Sequence, residues 1–188
     1  MPNQRLRNTI TTILAACLLY FCVTATGFAA DKPAALRAGA AAVDISPKEF
    51  PLNMPGNFSA NMADSCHDPL HSRALVLDDG TTKLAMVLVD NLGVAPELIV
   101  EAKEIASHQT GIPTDKMLIC STHTHSAPRA VAETTGRPAN ELAYRKILLE
   151  GMAASIVRAD AALQPAAVGA AAHPLPEEVG NRRWYLKP

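Results

Sequence analysis

A chain of 188 residues has room for one domain or part of one, and it excludes a large multi-domain enzyme. Hydrophobic residues make up 48% and charged residues 19%, which excludes a disordered tail, and 4% aromatics argue against a stacking platform for bases or sugars. The 17 Lys and Arg against 18 Asp and Glu give a net charge of −1, so neither a global field nor a basic cluster steers the chain toward nucleic acid.

Residues 1–30 read as an export signal. Arg5 and Arg7 form a short positive region, Ile13 to Val23 is a short apolar run, and Gly27 and Ala29 are small residues suited to a cut after Ala29. No acidic residue precedes Asp31. The run is short for a membrane span, although an uncleaved anchor is the competing reading. Residues 31–188 are then the folded part, in a periplasmic or extracellular setting. There Cys66 and Cys120 have two readings, a disulfide pair or a buried free thiol at Cys120. The absence of Cys-x-x-Cys excludes a thiolate zinc cluster.

Ala38 to Ile45 is small and apolar and predicts a first strand, stopped by Ser46-Pro47. Residues 48–70, rich in Pro, Asn, Gly and Asp, predict a long irregular loop of the kind that carries function. Arg73 to Leu77 and Lys83 to Asp90 predict two strands, joined as a hairpin by the turn residues Asp78-Asp79-Gly80. Pro96 opens a helix whose stripe is Leu98, Ile99, Ala102, Ile105 and Ala106, and Gly111-Ile112-Pro113 ends it. Met117 to Cys120 predicts a short buried strand. A second helix is expected from Asn140, as N-cap, to Asp160, with Leu142, Leu149, Met152 and Ile156 on one face. Ala166 to Ala171 predicts a last strand. The class is α/β: a mixed sheet with a leading hairpin and a strand–helix–strand unit over Lys83–Cys120, whose two strands run parallel through a right-handed crossover.

In open α/β sheets ligands bind beyond the carboxyl ends of the strands. Two segments meet that rule, Asp90-Asn91 and Ser121-Thr122-His123-Thr124-His125-Ser126. In an extended backbone His123 and His125 project to the same face, roughly 6.5–7 Å apart. Two imidazoles there can bind one metal, or one can bind it while the other moves protons, and two solvated loop histidines are the plain alternative. Flanking hydroxyls from Ser121, Thr122, Thr124 and Ser126 are available to orient the rings, and Asp90 is a candidate carboxylate behind an imidazole or a turn residue. His67 and His71 flank Pro69, His108 suits a helix C-terminus, and His173 precedes Pro174 in a loop. Without Gly-x-Ser-x-Gly, a phosphate-binding glycine loop or His-Glu-x-x-His, a serine hydrolase, a nucleotide enzyme and a zincin are unsupported.

Four segments together resemble the N-terminal part of the neutral/alkaline non-lysosomal ceramidases. They are Ala41 to Pro47, Asp68-Pro69-Leu70 leading into Arg73 to Leu77, Val87 to Asp90, and above all Ile119-Cys120-Ser121-Thr122-His123-Thr124-His125-Ser126-Ala127-Pro128. The resemblance covers Ala38 to the C-terminus. It implies a secreted or membrane-surface zinc amidohydrolase that cleaves the amide of ceramide or a related N-acyl lipid. It implies His123 as a zinc ligand, His125 as the proton carrier beside the metal, and Arg182, in Asn181-Arg182, as a cation against the oxyanion. Here Arg183-Trp184 follow where the family has Ser-Pro. The family's remaining ligands, a second histidine, a glutamate and a tyrosine, come later than the Asn-Arg pair, so the chain reads as an incomplete domain. Two alternatives stand beside this reading. One is a non-catalytic exported domain that binds a ligand or partner; the other is a metal site completed locally by His67, His71 or His173.

Overall fold

The structure, a computed structural model, describes residues 35–56 and 59–178. The export signal expected over residues 1–30 and the Asn181-Arg182 pair lie outside these residues.

Strands β1 (Arg37–Asp44), β4 (His71–Asp78), β5 (Lys83–Val89) and β6 (Met117–Ser121) form the main sheet, with a two-residue strand β7 (Gln164–Pro165) at its edge. The order is β6-β5-β4-β1-β7. Among the described residues only β5 and β6 are parallel; the other pairings of this sheet are antiparallel. The β4–β5 hairpin turns where expected. Asp79 Oδ1 accepts the amides of Thr81 and Thr82 at 2.8 and 2.7 Å, and Gly80 takes a φ of 84°. The crossover from β5 to β6 is helix α1 (Pro96–Thr110), with Pro at its start and Gly111 at φ 73° closing it through an amide bond to the Ser107 carbonyl. Leu98, Ala102 and Ala106 of its stripe are fully buried.

Helix α2 (Ala139–Ala161) lies across the same face of the sheet, beside α1. Its buried residues include Tyr144, Leu148, Leu149, Met152 and Ile156. Two glycines let it approach β1: a Cβ on Gly151 would collide with Ile45, and one on Gly39 with the Ala159 carbonyl. Ile45, Val76, Val87, Val89, Leu98, Leu148 and Ile156 fill the layer between, each large side chain contributing about 2 kcal/mol by its removal from water.

Three expectations need correction. Asn140 does not cap α2; Pro138 stands at the cap position, and the Asn140 amide instead donates to the Pro51 carbonyl, tying the helix start to the loop. The loop over 48–70 is not wholly irregular: Leu52–Asn53 (β2) pairs with Met62–Ala63 (β3), and Leu52 and Met54 enter the core. Residues 166–171 form no strand; they are exposed, Val168 at 75%, and only Gln164 and Pro165 pair with β1.

A fourth correction concerns β6. Met117 and Ile119 are buried, but Leu118 is 59% exposed and Cys120 is exposed. Among the described residues both helices cover one face of the sheet. The other face presents Leu84, Met86 and Leu88 of β5 beside Leu75 and Leu118, all exposed and in register. Such continuous apolar strands are the pattern of a sheet buried on both faces, which is why the sequence points to burial there. No helix of the described residues is long and apolar enough to cross a membrane.

Candidate functional site

The parallel pair β5–β6 brings its two strand ends side by side. The Thr122 amide donates to the Val89 carbonyl at 2.9 Å, so the residues after β6 continue against the end of β5. Asn91, fully buried just past β5, organises the space between them. Its Nδ2 donates to the Pro128 carbonyl at 3.0 Å and, more weakly, reaches the Tyr144 hydroxyl at 3.4 Å, while its Oδ1 accepts the Gly93 amide. Both strand-end segments are thereby fastened to each other and to α2. Burial pushes the Tyr144 phenol far above its ordinary value, the Asn91 bond only partly offsetting it, so that hydroxyl stays neutral.

His123 does not sit in extended backbone as expected. Its φ is +63°, uncommon for a residue with a Cβ and typical of sites where structure is over-determined. The kink still brings the two imidazoles together, with ring centroids 5.2 Å apart at an 81° edge-on angle. Both histidines are exposed. His123 Nδ1 lies 2.8 Å from the Leu92 carbonyl oxygen. A carbonyl only accepts, so Nδ1 carries the proton, and in the neutral ring Nε2 is the nitrogen with the lone pair. This is the arrangement by which a backbone group prepares an imidazole as a metal ligand. The flanking hydroxyls, expected to orient the rings, make no bond to them among the described residues; Thr124 Oγ1 accepts the Ser126 amide instead.

His125 lines an open cavity of about 550 Å³, with Phe50, Met54, Cys66, Asp90 and Pro128 among the other walls. That volume suits a small molecule or one end of a larger one. Its far wall is the loop between β1 and β4, which starts at an ordered turn: Asp44 Oδ1 accepts the Ser46 amide, and Ser46 Oγ accepts the Leu70 amide.

Asp90 lies at the cavity but does not hold an imidazole. Its Oδ2 accepts Arg73 Nη1 at 2.6 Å and the His71 amide at 2.9 Å. Arg73 Nη2 also approaches His71 Nδ1 at 3.3 Å, so His71 belongs to this ion-pair network. His67 pairs with Asp68, both nearly fully exposed, and His173 is exposed. Local completion of a metal site is therefore not found: among the described residues no three His, Cys, Asp or Glu side chains converge. His123 is suited to be one ligand, but the described residues do not make a full set, for which catalytic zinc takes three from the protein. Cys66 and Cys120 are free, one in the cavity wall and the other on the open sheet face, so neither the pair nor a buried Cys120 is found.

The Leu92 carbonyl and Gly56 are the parts that the sequence left unmarked, and the fastening role of Asn91 is not read from it. Asn91 had a signal, its place after a strand end; a backbone carbonyl has none.

No family model matches the chain, and no curated protein matches it. Solved structures do. The chain is similar to the crystal structure of neutral ceramidase from Pseudomonas aeruginosa, with a TM-score of 0.60 and 22% identity over 72% of this chain and 23% of that one. It is also similar to a structure of ceramidase complexed with C2, with a TM-score of 0.58 and 22% identity over 70% of this chain and 22% of that one. The chain thus spans less than a quarter of the length of either. At this identity the likeness is one of fold, between this mixed α/β chain and a part of each of those structures.

Proposed function

We propose that the chain is part of an exported zinc-dependent amidohydrolase of the ceramidase type, acting on the amide of ceramide or a related N-acyl lipid, in solution or at a membrane surface. The observation that carries the reading is the His123–Leu92 bond, which leaves Nε2 as a ready ligand atom beside a cavity and a second imidazole. The likeness in fold to neutral ceramidases supports the choice of chemistry.

Zinc, when bound, supplies a water acidic enough to be hydroxide near neutral pH. His123 Nε2 is its ligand in this reading, and the other ligands come from outside the described residues. His125, 5.2 Å from His123, moves a proton to the leaving amine. The cavity holds the amide end of the substrate between the loop and the strand ends, its lining a mixture of Phe50 and Met54 with Asp90 and Thr124. Arg182 supplies a cation for the developing oxyanion.

The test is fatty-acid release from ceramide and from simpler N-acyl amides by the protein isolated from its source. Release that stops on chelation and returns with zinc supports the proposal. No release on either substrate with zinc restored sinks it, and leaves the non-catalytic binding domain as the better account.

A further inference from the structure

The loop after β1 meets His125 at one residue. A Cβ built on Gly56 would stand 2.5 Å from His125 Nδ1, 2.6 Å from Cγ and 3.0 Å from the His125 Cβ. Real side-chain carbons do not approach that closely, and Gly56 also has a φ of +115°, where L-residues with side chains are strained. We propose that Gly56 is a positioning residue for His125: the missing side chain lets the loop backbone lie against the Nδ1–Cγ side of the ring and fix its orientation. In a five-membered ring the atom opposite the Nδ1–Cγ bond is Nε2. His125 lines the cavity and Gly56 does not, so the ring stands between Gly56 and the cavity. Nε2 is then the nitrogen presented to a bound molecule, and the backbone at Gly56 takes part in the site as a backstop for the imidazole.

The consequence for turnover rests on the amidohydrolase reading; the contact itself does not. The experiment therefore has an arm that needs no activity. Gly136 shares a positive φ, 73°, but a Cβ there meets nothing within 4 Å, so Gly136→Ala carries the backbone strain without the ring contact. Unfolding temperatures are measured for Gly56→Ala, His125→Ala, the double variant and Gly136→Ala. The His125 ring 1H–13C cross-peak is recorded at fixed pH.

The expected result is a lowered melting temperature for Gly56→Ala that is at least half recovered in the His125→Ala background, where the space is open. The His125 cross-peak moves in Gly56→Ala and stays in place in Gly136→Ala. If Gly56→Ala does not fold, folding restored by His125→Ala supports the contact and a double variant that also fails to fold overturns it. Strictly additive losses, or an unmoved cross-peak, overturn it as well. In the form that releases fatty acid, kcat of Gly56→Ala falls about 10–100-fold with KM changed much less, as for a misplaced catalytic group. Loss of the kinetic effect with the stability coupling intact would count against the amidohydrolase reading and not against the contact.

Discussion

The Nδ1 atom of His123 lies 2.8 Å from the carbonyl oxygen of Leu92, and the bond joins the loop after β6 to the loop after β5. Its partner is a main-chain atom of the loop that follows the neighbouring parallel strand, so the backbone there selects the Nδ1–H form of the neutral ring. The positive φ of His123 turns the ring back toward that carbonyl.

This geometry predicts how position 123 tolerates replacement. Asn adopts the left-handed region readily and should cost less than about 1 kcal/mol, whereas β-branched Val is a true outlier there and should cost about 1–3 kcal/mol. Denaturant unfolding of His123→Asn and His123→Val checks the order.

Asn91 is the internal fastener of the site. Asn91→Ala removes the donor to the Pro128 carbonyl and the acceptor of the Gly93 amide in a fully buried position. A loss of about 1–3 kcal/mol is expected, because buried polar groups are left without partners. Asn91→Asp should be worse at neutral pH, since it places a charge there. Equilibrium unfolding gives both numbers.

The open face of the sheet gives a contrast between adjacent residues of β6. Leu118 is 59% exposed and Ile119 is 7% exposed. Leu118→Lys should change stability by less than about 0.5 kcal/mol and raise solubility, while Ile119→Ala should cost about 2–4 kcal/mol. Equal costs at the two positions would contradict the assignment of faces.

The turn that opens the cavity loop predicts a pH dependence. Hydrogen bonds from Ser46, through its hydroxyl and its amide, hold the Asp44 carboxyl below its ordinary value of 3.8, with help from Lys48. A carboxyl lowered in the folded state adds stability that is fully present above 3.8 and is lost as pH falls below it, through the folded value. Asp44→Asn should therefore lower stability slightly at pH 7 and flatten the acid limb below 3.8. The effect is small because the side chain is half exposed. A pH series of melting temperatures for both proteins measures it.

Much of this fold is legible in the chain because local signals and packing agree. Asp78-Asp79-Gly80 specifies the hairpin turn, and Pro96 with Gly111 bounds α1 within a residue. Position at the end of a parallel strand likewise singles out His123. Other parts depend on partners distant in sequence. Asn140 has the chemistry of a cap, yet the helix already begins at Ala139, and the Asn140 side chain donates to the distant Pro51 carbonyl. Asp90 has the chemistry to hold an imidazole, yet Arg73, brought alongside by the β4–β5 pairing, takes its carboxylate. The alternation of burial in β6 is invisible in Met117-Leu118-Ile119-Cys120, because apolar residues fill both faces. Kinked backbone at His123 cannot be read either, since a left-handed φ leaves no trace in a residue that is not glycine.

Zinc binding by His123 Nε2, as proposed, is read from X-ray absorption at the zinc edge. The protein isolated from its source and its His123→Ala variant would be compared after equal zinc loading. Zinc with imidazole nitrogen at about 2.0–2.1 Å is expected in the native protein, and one imidazole fewer or lost zinc in the variant. A native protein that takes up no zinc, or a spectrum that His123→Ala leaves unchanged, would contradict it.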